Sequence, residues 1–166
     1  MRFASGFLAA IALLILAALA VSYSGVVNVA ATEPDNPVSA WFLSTTMQRS
    51  VRQQASGIAA PRQASEEEVR EGFRFYSEAC VYCHGAPGKE PTDISKGLNP
   101  EPPYLPDVAA RWSSAELFWI AKNGIRMTGM PAFGSTHKDE EICKVVAFVQ
   151  RLPKVSEEEY AKMEHP

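Results

Sequence analysis

Five consecutive residues in the middle of the chain restrict its fold and chemistry more than any other feature. Cys80, Cys83 and His84 stand in the pattern C-x-x-C-H, which is typical of c-type haem attachment. Two thiols about one helical turn apart can each form a thioether with a vinyl group of one porphyrin, and the imidazole that follows can bind the iron. The motif therefore predicts one covalently attached haem c, with Cys80 and Cys83 holding the ring and His84 holding the iron.

Two cysteines at this spacing also occur in zinc sites and in redox dithiols. A zinc site at Cys80 and Cys83 would need further ligands such as His137 or Cys143, and the sequence has neither a second C-x-x-C nor the H-x₃₋₅-H of zinc fingers. A thioredoxin-like dithiol needs a βαβ context, whereas the residues before Cys80 follow a helical pattern. The missing zinc ligands and the helical pattern before Cys80 both favour haem over these alternatives. Cys143 is predicted to be a small buried side chain on a helix.

The residues on either side of the motif predict helices. Ser65 and Glu68 form a capping box that starts the helix leading to Cys80. A second helix is predicted between Ser113 or Ser114 and Gly124, and a third begins at Asp139 and stops at Pro153, with apolar residues spaced three and four apart. Residues 85–111 are rich in proline and glycine and predict an irregular loop. The fold class is therefore all-α.

The N-terminus is a membrane-directed segment. No charged residue occurs between Arg2 and Glu33, and residues 6–21 carry no polar side chain. With the next three residues this run approaches the roughly 20 needed to cross a bilayer. The competing interpretation is a cleaved signal peptide, with a small-residue cleavage site at Val29-Ala30-Ala31. Residues 1–31 are thus a membrane anchor or a signal segment, and on either interpretation the rest of the chain is exported.

Residues 32–64 predict a periplasmic linker that contains an amphipathic helix. Asn36 and Pro37 can start this helix, and its apolar stripe includes Leu43, Met47 and Val51. The helix can lie against lipid headgroups, pack on the following domain or act as a spacer. The domain itself is predicted at residues 65–155.

Charge distinguishes the two halves of the chain. Residues 1–64 carry a net charge of +2 and residues 65–166 a net charge of −5, for −3 overall. The acidic second half argues against nucleic acid as a partner. Residues 156–166, with glutamates at 157–159, are predicted to be an acidic C-terminal tail.

Residues 65–155 resemble the class I c-type cytochromes, especially bacterial single-haem members with a membrane-targeted N-terminus. The resemblance rests on the motif at residues 80–85, on Met-Pro-Ala-Phe-Gly at residues 130–134, and on Gly72 and Tyr76 in one helix matched by Phe148 in another. It implies that these two helices cross near the haem, where the glycine lets an aromatic residue approach closely. It also implies that a proline carbonyl accepts a hydrogen bond from the ligating histidine, and Pro100, Pro102 and Pro103 are the candidates.

The second iron ligand is predicted to be Met130. Met1, Met47 and Met163 lie outside the predicted core of the domain, which leaves Met127 and Met130. Gly129 and Pro131 favour a thioether presented at position 130 on an extended loop, and the resemblance selects the same residue. Met127 is then expected to pack or to line the haem edge. His137 is the alternative ligand, in a polar stretch typical of a solvated surface.

The predicted protein is a membrane-tethered single-haem cytochrome that carries one electron between proteins of a respiratory chain. It is expected in the bacterial inner membrane with its haem domain in the periplasm, or as a soluble periplasmic protein if the N-terminus is cleaved. It is not expected to be an enzyme, because His84 and Met130 fill both axial positions of the iron. The alternatives are a haem enzyme or gas sensor with a displaceable sixth ligand, and an electron-transfer subunit of a larger dehydrogenase or oxidase.

Overall fold

A computed structural model describes residues 2–59 and 63–165. Residues 60–62, which belong to the predicted linker, lie outside the described part. The chain divides into two compact units, Met1–Pro34 and Asp35–Pro166. Over the described residues the regular structure is helical and contains no β-strand, which confirms the all-α fold class.

The first unit contains a single apolar helix, α1 (Arg2–Ser24). By length and composition it can cross a membrane, and a signal sequence near an N-terminus has the same properties. Its two serines near the C-terminal end donate hydrogen bonds to the carbonyls of the preceding turn, Ser22 to Ala18 and Ser24 to Val21. These bonds satisfy the hydroxyls within the helix itself.

The second unit begins with helix α2 (Pro37–Ala55). Asn36 caps it as predicted, since its side-chain oxygen accepts a hydrogen bond from the Val38 amide at 2.9 Å. The first turns are exposed, but Val51 and Ala55 are buried. The C-terminal half of α2 therefore packs on the domain.

Helix α3 (Glu66–Phe75) leads towards the C-x-x-C-H motif. The predicted capping box is present: the Glu68 amide donates to the Ser65 hydroxyl at 3.3 Å, and the Ser65 amide donates to the Glu68 carboxylate at 2.8 Å. One turn of π-helix, Tyr76–Cys80, joins α3 to the short helix α4 (Val81–His84). Such turns are rare and often lie at functional sites.

The remaining helices are α5 (Asp93–Lys96), α6 (Leu105–Val108), α7 (Ser114–Asn123), α8 (Asp139–Arg151) and α9 (Glu157–Glu164). The prediction of an irregular loop over residues 85–111 was wrong in part, because α5, α6 and a 3₁₀ turn (Ala109–Arg111) lie within it. Thr92 caps α5, and Pro106 occupies the first turn of α6, where a proline is tolerated.

The core forms where α3 crosses α8. Gly72 lies at the crossing, and a Cβ atom there would be only 2.0 Å from the carbonyl oxygen of Lys144. Phe148 of α8 packs against Phe73 and Tyr76, with ring centroids 5.4 and 5.3 Å apart. The crossing implied by the family resemblance is therefore present, and at Gly72 the close approach is to the backbone of α8 rather than to an aromatic ring.

Helix α9 extends the packed unit beyond residue 155. Its three glutamates at 157–159 are exposed, but Tyr160 is 1% exposed and contacts Phe73 with a centroid distance of 5.4 Å. The predicted acidic tail is therefore a helix anchored in the core by one aromatic side chain. The sequence analysis missed this helix because it weighed only the charged residues.

Candidate haem site

Two tyrosine hydroxyls hold the backbone directly after the C-x-x-C-H motif. Gly85 ends α4 with a φ of 63°, a backbone conformation that favours glycine. The buried Tyr76 donates a hydrogen bond to the Gly85 carbonyl at 2.6 Å, and Tyr104 donates to the Ala86 carbonyl at 2.7 Å. Burial raises the pKa of Tyr76, so its hydroxyl keeps the proton that it donates. These bonds fix the direction in which the chain leaves His84.

The carbonyl of Pro103 orients the His84 ring. Nδ1 of His84 lies 2.8 Å from this oxygen. Because a carbonyl oxygen only accepts hydrogen bonds, Nδ1 carries the proton and Nε2 keeps a free lone pair. Burial lowers the pKa of His84, and the Pro103 hydrogen bond opposes this in part. The ring is therefore held neutral, which is the form that binds a metal, and Pro103 is the one of the three candidate prolines that makes this contact.

The two cysteines of the motif are free thiols rather than a disulfide. Burial raises the pKa of Cys80 to about 12, with a smaller contribution from Cys83. A redox-active dithiol needs a lowered pKa, so this environment does not suit one. Within the described ranges, 2–59 and 63–165, no group of three or more His, Cys, Asp and Glu side chains could hold a metal ion. A zinc site at Cys80 and Cys83 therefore has no support.

The four predicted site residues line one cavity of about 310 Å³: Cys80, Cys83, His84 and Met130. This volume lies within the range of roughly 300–1,000 Å³ typical of ligand pockets. The other walls are predominantly apolar and include residues of α3, α7 and α8, such as Phe75, Leu117 and Val145. An apolar cavity with two thiols, an imidazole and a thioether at its wall fits the chemistry of a covalently attached haem.

Met130 reaches this cavity from an irregular segment that Gly124 opens with a φ of 66°. The Met130 amide donates to the Thr128 hydroxyl at 3.1 Å, and the Met130 carbonyl accepts from the Ile125 amide at 3.3 Å. Gly129 lies against Leu98, at a distance where a Cβ atom would be 2.8 Å from the leucine side chain. The backbone of Met130 is therefore held by hydrogen bonds at both its amide and its carbonyl.

Met127 and His137, the two alternative ligands considered from the sequence, do not line the cavity. Met127 is 91% exposed and adopts a φ of 60° in a turn closed by the Thr128 amide and the Ile125 carbonyl, so the expectation that it packs or lines the haem edge was wrong. His137 stacks on Phe75 with ring centroids 4.5 Å apart, and its Nδ1 lies 2.9 Å from the Thr136 hydroxyl. His137 therefore supports a wall of the cavity without lining it.

Met47 is a site residue that the sequence analysis missed. It was placed outside the domain core, yet it lines the same cavity as Met130. The available signal was its position in the apolar stripe of α2, one turn before the buried Val51.

The helical fold and this cavity define a class I c-type cytochrome. Residues 67–149, half of the chain, match the sequence family described as cytochrome C oxidase, cbb3-type, subunit III, and the chain belongs to this family. No curated protein matches the sequence. As a family member the protein binds haem c and takes part in haem-based electron transfer with redox partners.

Proposed function

We propose that this protein is a membrane-tethered cytochrome with a single haem c, which carries one electron at a time between partners of a respiratory chain. In this proposal Cys80 and Cys83 bind the porphyrin, and His84 and Met130 bind the iron. The observation that carries the proposal is that these four side chains line one apolar cavity.

The thiols attach the cofactor permanently. Each thiol adds across a vinyl group, so that a carbon–sulfur bond forms and the thiol hydrogen passes to the neighbouring vinyl carbon. The bound haem supplies an iron that gains one electron from a reduced donor and loses it to an oxidised acceptor. The sequence contains one C-x-x-C-H motif, which supports a single haem.

The axial residues set the electronic properties of the site. The Pro103 carbonyl accepts a hydrogen bond from Nδ1 of His84, which would leave Nε2 to bind the iron and make it a better donor. A thioether as the second ligand raises the reduction potential. His84 and Met130 would together leave the iron no position open to a substrate, which favours an electron carrier over an enzyme.

Two features support a position at a membrane. Helix α1 is long and apolar enough to span a bilayer. The first turns of α2 expose Val38, Trp41, Phe42 and Leu43, each at 60% or more. Exposed aromatic and apolar side chains that follow a membrane span along the chain are typical of residues at the lipid interface. We therefore place α1 in the bacterial inner membrane and the haem domain in the periplasm.

The test is covalent haem in cysteine variants. The double variant Cys80→Ser and Cys83→Ser keeps the size of both side chains but removes both thiols. It is expected to lose all haem staining on a denaturing gel. Cys143→Ser is the matched control and should stain like the unmodified protein, because Cys143 does not line the cavity. Full staining of the double variant would refute the assignment.

The family match favours a second candidate, an electron-transfer subunit of a larger oxidase. The two candidates differ in assembly. Size analysis of the detergent-solubilised native membrane, followed by haem staining, separates them: a free carrier migrates alone, and an oxidase subunit migrates with other haem-containing chains.

A further inference from the structure

Helix α2 lies outside residues 67–149, which match the cytochrome family, yet it belongs to the same compact unit. Met47, Val51 and Ala55 follow one another at intervals of four residues and therefore share one face of the helix. Val51 and Ala55 are 1% and 4% exposed. This face is thus fixed against the domain over two turns.

The neighbour of α2 is α7, the helix that precedes the Met130 segment. Arg52 of α2 lies 3.8 Å from the carboxylate of Glu116 in α7. The same carboxylate accepts hydrogen bonds from the amide and hydroxyl of Ser113, which cap α7. The Arg52 contact therefore joins α2 to the start of α7, although ion pairs near the surface contribute little to stability.

This placement brings Met47 to the cavity. It lines the cavity together with Leu117 and Ile120 of α7 and with Met130. It is the one residue of α2 among those lining this cavity. A methionine suits the contact, because its unbranched chain adapts to irregular surfaces and its sulfur packs well on aromatic rings.

We propose that Met47 packs directly against the haem, so that α2 is a wall of the haem site rather than a spacer between the membrane segment and the domain. The inference rests on the proposed haem attachment at Cys80, Cys83 and His84. It adds a cofactor contact from outside residues 67–149, the segment that matches the family. By covering part of the cofactor, Met47 excludes water and so favours the ferrous over the more highly charged ferric state.

The direct test is the NMR position of the Met47 methyl group. The full-length, reduced holoprotein is labelled with ¹³C at its methionine methyl groups and studied in detergent micelles. A methyl group over the face of a porphyrin is shifted upfield by the ring current. Met127 provides an internal reference for an unshifted methyl group, because it is 91% exposed. The expected result is an upfield-shifted signal that Met47→Ala removes.

A matched variant separates this contact from an effect on the helix. Gln48→Ala makes a similar change on an exposed position of α2 and should leave the Met47 signal in place. A Met47 methyl signal at the position of the Met127 signal would overturn the proposal. The visible spectrum of the same samples reports separately whether haem is attached, so failure of the proposed function is distinguishable from failure of this inference.

A second measurement addresses the shielding. Met47→Ala is expected to move the ferric-to-ferrous ratio towards ferric at a fixed ambient potential. Met47→Leu, which keeps nearly the same volume, should restore the ratio. If Met47→Ala and the unmodified protein show the same ferric-to-ferrous ratio at every ambient potential, Met47 does not shield the haem.

Discussion

The crossing of α3 and α8 gives the sharpest stability prediction, the substitution Gly72→Ala. A Cβ atom at position 72 would lie 2.0 Å from the Lys144 carbonyl oxygen and 2.6 Å from its carbonyl carbon, whereas ordinary contact begins at 3.4 Å. The atoms in the way are backbone atoms of a helix, which cannot rotate aside. The two helices must therefore separate by about 1 Å or more, in a core that is packed as densely as a crystal.

Two opposing effects set the magnitude. Overpacking of a core costs about 1–3 kcal/mol and occasionally more, and a backbone clash of this depth belongs at the upper end. Alanine is favoured over glycine in a helix by about 1 kcal/mol. The expected net loss in the free energy of unfolding is therefore about 2 kcal/mol or more.

The assay is urea denaturation of the full-length holoprotein in detergent, followed by circular dichroism. Gly57→Ala is the control, because a Cβ atom at Gly57 meets nothing within 4 Å; it should change the free energy of unfolding by less than about 1 kcal/mol. An unchanged or increased stability of Gly72→Ala would refute the reasoning, since helix propensity would then outweigh the clash. Because Val145 lies next to the clash and lines the cavity, a changed haem spectrum is also expected.

Two further substitutions test the iron ligand and the C-terminal helix. Met130→Ala should keep the haem attached but open the sixth position, so that carbon monoxide shifts the Soret band of the reduced protein. The Soret band of Met127→Ala should not shift with carbon monoxide. The reverse pattern would show that the wrong sulfur had been assigned. Tyr160→Ala should lower the free energy of unfolding by about 3–5 kcal/mol, as for other buried aromatic residues, while Glu158→Ala, exposed on the same helix, should change it by less than about 0.5 kcal/mol. Equal stability of these two variants would mean that α9 does not contribute to the core.

Features that depend on neighbouring residues were predicted from the sequence and are found in the structure. Asn36 with Pro37 starts α2, Ser65 with Glu68 starts α3, and Gly124 ends α7. Each depends on hydrogen bonds or backbone angles within a few residues, so a short stretch of sequence contains the whole cause. The helical class and the cytochrome family followed from such local features.

Other features could not be predicted because they depend on residues far apart in the chain. Met47 was placed outside the core and Tyr160 in the acidic tail, since the residues next to each do not show which distant side chain it packs against. Their partners lie dozens of residues away, on α7 and on α3. Long-range packing of this kind is visible only when the helices are assembled.

The haem site combines both kinds of information. The sequence by itself determined the kind of cofactor, because the C-x-x-C-H motif sets two thiols and an imidazole at the fixed spacing that one haem requires. Only the tertiary structure decided that the carbonyl of Pro103, rather than that of Pro100 or Pro102, contacts His84, and that Met47 lines the same cavity as Met130. The reason is physical. Residues of the same type that lie close together in the sequence are chemically alike, so only the path of the folded backbone determines which of them contacts the site.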